Sequence, residues 1–117
     1  VKTEPRATGA IAEIVHERAQ QDAKWGVQNH PDLPKGIVSH PCAFFGLPTA
    51  DAAREHCEDA FKRGAGSYAH IFVEEVCEAI EDAHDPAKLR AELVQVAAVA
   101  AAWIEKIDRD AHSQGAG

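Results

Sequence analysis

Five carboxylates, Glu74, Glu75, Glu78, Glu81 and Asp82, fall within FVEEVCEAIED at 72–82, and no Lys or Arg lies among them. At about 100° per residue they fill a sector of roughly 120° on a helix, and Phe72, Val76, Ala79, Ile80 and Ala83 take the other side. An amphipathic helix with a solvated acidic face is one reading of that pattern. Surface helices, however, usually interleave Lys or Arg four residues on, whereas Glu74–Glu78 and Glu78–Asp82 are like-charge pairs, mildly destabilising in an isolated helix. A divalent cation reverses that sign. Hard ions such as Mg²⁺ take carboxylate oxygens, and carboxylates at i, i+3 and i+4 can converge on one ion from a single helix face.

One helix seldom completes such a shell, and the next periodic segment offers the missing side. Glu92 shares a row with Val96, Val99, Trp103 and Ile107, so a carboxylate stands on an otherwise core-facing stripe, where a charge needs a partner. A salt bridge to Arg90, Lys88 or a residue of the first helix is the alternative. Gln95 follows close to the same stripe, which sets Glu-x-x-Gln opposite Glu-Glu-x-x-Glu. Taken alone, Gln95 reads as a buried amide bonded to backbone. Two facing helices with inward carboxylates are one way for a bundle to build a metal site.

The elements that must position these groups are all helical. Ile11, Ile14, Val15 and Ala19 recur at helical spacing from about Thr8 to Lys24. Residues 26–50 carry Pro31, Pro34, Pro41 and Pro48 with Gly26, Gly36 and Gly46, which breaks every periodicity and predicts a long loop insertion of the kind that is often functional. Thr49 or Asp51 caps a second helix to Arg63, stopped by Gly64-Ala65-Gly66. Ser67 caps a third, to about His84, and Asp85-Pro86 opens a fourth, to about Arg109, with a frayed tail beyond. The expectation is one all-α domain over 1–117 with four helices.

Composition narrows the partners. Lys and Arg total 12 against 19 Asp and Glu, a net charge of −7, which repels nucleic acid and anionic membrane alike. A phosphate-bearing ligand would then need a metal or a focused basic spot, for which Lys62-Arg63 is one candidate. Cys42, Cys57 and Cys77 are an odd set without a CxxC pair, so a reducing cytoplasmic setting is expected. The opening VKTEPRATGA lacks the apolar run of a signal peptide, so none is expected there, and the run LVQVAAVAAAWI at 93–104 is too short for a membrane span. It reads as a buried helix, apolar around most of its circumference, which four short helices cannot easily cover; a homodimer or homotetramer is expected.

On the pairing of Glu74-Glu75-Val76-Cys77-Glu78 with Glu92-Leu93-Val94-Gln95, the chain resembles the MazG-like members of the all-α nucleoside triphosphate pyrophosphohydrolases, whose hallmark is EExxE on one helix and ExxD on the next. The resemblance covers roughly residues 10–30 and 65–109, and departs at Gln95, where the family usually has Asp. It implies a four-helix bundle and metal-dependent hydrolysis of a nucleoside triphosphate to the monophosphate and pyrophosphate, with Mg²⁺, or Mn²⁺ in its place. Glu75, Glu78 and Glu92 match the family's metal ligands, Gln95 stands at the fourth position, and Glu81 or Asp82 is an alternative carboxylate. Glu74 is assigned to orienting or deprotonating the attacking water, with a metal-ligand role as the alternative.

AQQDAKWGVQNHPD, residues 19–32, resembles the nucleotide-holding segment of some MazG-like proteins. Trp25 would stack on a base, Lys24 would meet a phosphate, and Gln21, Gln28 or Asn29 would read a base edge. An ordinary helix end, with Trp25 as a core plug and Gly26 as the stop, is the alternative. His40-Pro41-Cys42 and His56-Cys57 raise zinc as a rival, although the spacing fits no common structural site. Two other functions stay open: a non-catalytic nucleotide- or metal-binding helical module, and a structural oligomer with an acidic surface.

Overall fold

The computed structural model describes residues 6–37 and 39–116, with side chains over 9–37 and 39–113. The described residues hold five helices, α1 (Arg6–Trp25), α2 (Pro41–Phe44), α3 (Ala50–Lys62), α4 (Tyr68–Glu81) and α5 (Pro86–Ala116), and no strand. None of these helices is long and apolar enough to cross a membrane. The chain divides into two compact units: one runs from Pro31 to Val99, and the other holds α1 with α5 from Ala100 onward.

The capping residues read from the sequence are the ones used. Thr49 Oγ1 accepts the Ala52 N–H at 3.1 Å and Ser67 Oγ accepts the His70 N–H at 3.2 Å. Asp85 Oδ1 accepts from the N–H groups of Ala87 and Lys88 at 3.2 and 3.3 Å. Each satisfies donors that a helix N-terminus leaves unpaired, worth about 1 kcal/mol apiece. Gly64 takes φ 75 just past α3, the left-handed stop that a side chain would strain. Two expectations need correction. The long loop carries α2, a single turn opened by Pro41, and α5 remains helical to Ala116 instead of fraying near Arg109.

In the Pro31–Val99 unit, α3 packs against α4 around small side chains. Cys42, Ala50, Ala53 and Cys77 form the buried cluster, with Leu47 and Ile80 against it. Alanines and cysteines at the seam let the helices approach closely, and there α2 is tied to α4 by the Cys42 thiol, which donates to the Cys77 carbonyl at 3.3 Å. In the other unit Ala10 is fully buried and Ala101 nearly so, but Ile11, Ile14 and Val15 are exposed. The apolar row that recurs along α1 is therefore exposed among the described residues.

Gly66 has a different task from Gly64. A Cβ built on it would run into the Phe61 ring, which lies directly against the glycine. Gly66→Ala should therefore displace the ring and destabilise the protein by about 1 kcal/mol, lowering the melting temperature by roughly 4 °C. In a thermal melt of the double variant with Phe61→Ala the cost of Gly66→Ala should largely vanish; an undiminished cost would mean that the backbone, not the ring, sets the requirement.

Candidate metal centre

Glu74, Glu75 and Glu78 are all half-buried on α4, and Asp82 caps its C-terminus. The three glutamates do not act as one group. Burial, then the Glu74 carboxylate, pushes up the pKa of the buried Cys57 thiol on α3. Glu75 is pushed up as well, by burial first and then by Glu78 and Glu74.

Glu92, near the start of α5, closes the cluster from the second helix. Burial raises its carboxyl to about 7, with the neighbouring Asp82 carboxyl next in effect, followed by Glu78 and Glu75. One of its oxygens, Oε1, is buried without a hydrogen-bond partner. Among the α4 acids, Asp82 thus acts most strongly on Glu92. The salt bridges considered for Glu92, to Arg90 or Lys88, are not among the ion pairs formed by the described residues.

The α4 acids are not wholly without compensation. Arg54 of α3 reaches Glu78 Oε2 at 3.3 Å while also holding Asp51 at 2.8 Å. A search four residues along the same helix misses this cation, because it arrives from the preceding helix. One guanidinium shared between two acids leaves Glu75, Asp82 and Glu92 with no cation among the described ion pairs.

Gln95 is exposed on α5, one turn beyond Glu92, so it is not the buried amide that its isolated reading suggested. Among the described residues no three His, Cys, Asp or Glu groups already stand in metal-holding geometry. The donors nevertheless suit a hard cation: carboxylate oxygens from two helices, one of them buried and unpartnered. For zinc the donors point the wrong way. The three cysteines are buried, Cys42 is bonded to the Cys77 carbonyl, and His40 sits exposed at the start of α2.

The predicted nucleotide segment lies in the other unit. Trp25 is 59% exposed, so it is no core plug, and Lys24 Nζ sits 4.9 Å from the centre of its ring. Lys24, Trp25, Gln21 and Gln28 share a surface cleft of about 520 Å³ with Glu17 and Gln20. Gln21 Oε1 accepts from Arg18 at 2.7 Å, and Gly26, at φ 69, ends α1 as expected. Asn29 is exposed and does not line this cleft. No family model, curated protein or solved structure matches the chain.

Proposed function

We propose that the protein is a MazG-like, metal-dependent nucleotide pyrophosphohydrolase, an all-α bundle completed by self-association, that splits a nucleoside triphosphate into the monophosphate and pyrophosphate. The observation that carries this reading is the Glu92 carboxyl, raised to about 7 beside Asp82, Glu78 and Glu75, with one oxygen buried and unpartnered. An acid cluster spanning two helices and short of positive charge is what a divalent cation would stabilise.

Glu75, Glu78 and Glu92 would hold Mg²⁺ or Mn²⁺, with Asp82 taking the role that the family gives to the acid at position 95. When bound, the metal neutralises phosphate oxygens and lowers the pKa of water. Glu74, half-buried on α4, is suited to accept the proton of the attacking water on its carboxylate. Trp25 and Lys24 would contact base and phosphate, with Gln21, Gln28 and Asn29 at the base edge. A second copy, in a homodimer or homotetramer, would cover Ile11, Ile14 and Val15, and the cytoplasm is the setting that the thiols favour. A screen for pyrophosphate release across nucleoside triphosphates with Mg²⁺ or Mn²⁺ tests the reading, and no release from any of them overturns it.

The exposed Gln95 favours one second reading, a non-catalytic module that binds metal or nucleotide without turnover. Gln95→Asp separates a metal role from the alternatives. If position 95 reaches the ion, the restored charge should lower the Mg²⁺ needed for half activity by about tenfold, a gain of about 1.4 kcal/mol in binding. Activity measured against Mg²⁺ decides it: an unshifted curve removes position 95 from the metal shell.

A further inference from the structure

We infer that the cleft between α3 and α4 is a binding site for a neutral, planar, two-ring heteroaromatic molecule. The inference stands whether or not the carboxylates hold a metal. The cleft has a volume of about 260 Å³, walled by Ala52, Ala53 and His56 of α3 and by Ala69, His70 and Val73 of α4. An apolar cavity of about 150 Å³ accepts a single benzene ring. The larger volume here has room for a fused pair of rings.

Its walls set the chemistry of the occupant. Three alanines leave a space that no described side chain fills, while the two imidazoles stand edge to face at 5.2 Å between centroids. Ser67 Oγ lies 2.7 Å from His70 Nδ1 and already accepts the His70 backbone N–H. The hydroxyl proton that remains is free to go to Nδ1, which leaves the Nε2–H of His70 as a donor for a ring nitrogen or carbonyl. His56 adds an aromatic face and a second polar edge.

Charge excludes anions. Val73 is followed by Glu74 and Glu75, and the chain next to His56 runs on to Cys57 and Glu58. A carboxylate or phosphate seated in the cleft would meet that field in a chain whose net charge is −7. The alanine walls and the histidine edges instead suit an uncharged ring with a polar atom on its edge.

Benzimidazole at pH 8 without metal is the probe, followed through the Cε1–H resonances of the histidines. Saturable shifts of His56 and His70, with His30 and His112 unmoved, are expected. Ala69→Leu and Ala52→Leu, which fill the cleft from opposite helices, should each weaken binding by about tenfold or more with circular dichroism unchanged. Benzimidazole-5-carboxylate should bind more weakly than the neutral ring. Unmoved His56 and His70, equal shifts at every histidine, or full affinity in both filled variants overturns the proposal. So does a change of oligomeric state in Ala69→Leu without any response to the probe, because a second copy would then be the occupant.

Discussion

Glu75→Gln should lose Mg²⁺-dependent pyrophosphate release by about a hundredfold or more, since even outer-shell partners of a bound metal are worth about 10–100-fold, and should raise the melting temperature of the metal-free protein. The rise follows from what surrounds Glu75. Burial and two neighbouring glutamates push its carboxyl up, so removing the charge relieves repulsion. Glu78→Gln should lose activity to the same degree but gain less stability, because it also gives up the charge partner of Arg54, a contact at 3.3 Å. Thermal melts without metal, run beside activity assays with it, distinguish the two. Full Mg²⁺-dependent activity in both variants would remove these residues from the site.

Stability should fall as pH rises from about 4.5 to about 7, the interval between the ordinary glutamate value and that of folded Glu92. Within it the unfolded chain has released the proton and the native state still holds it. The native state therefore binds more protons, and unfolding becomes easier as they are withdrawn. Glu75, also raised, contributes with the same sign. Between pH 5 and pH 8 the melting temperature of the metal-free protein should drop by about 5 °C on this account, and Glu92→Gln should remove most of the drop. Mg²⁺ should restore the loss at pH 8 and do little at pH 5, where the protonated carboxyl is a poor ligand. A wild-type melting temperature that Mg²⁺ leaves unchanged at pH 8 would falsify the two-helix metal centre.

Local signals were legible and through-space ones were not. Thr49, Ser67, Asp85 and Gly64 declare themselves because a cap acts within four residues of its own position, and all four work as read. Glu92 was legible for a related reason, as a charge on an apolar periodicity. Arg54 was invisible to that logic, since it reaches Glu78 across 24 positions of sequence. The same holds for the Cys57 thiol at Glu74 and for the Phe61 ring over Gly66. Periodicity also overstated burial: Ile11, Ile14 and Val15 share a helical face, but a face acquires a partner only in three dimensions, and on this chain they remain exposed.

The three buried thiols give the α2–α3–α4 seam a built-in clock. Burial pushes Cys42 to about 12 and raises Cys57 and Cys77 as well, so none presents thiolate to a reagent while the seam is closed. Alkylation can then proceed only from opened forms, and each sulfur times a different event. Cys42 times the lifting of α2 from α4, and Cys57, buried on α3, times the parting of α3 from α4. With no disulfide to constrain them, the order in which these sulfurs become modified ranks the local openings of the unit by their free energies.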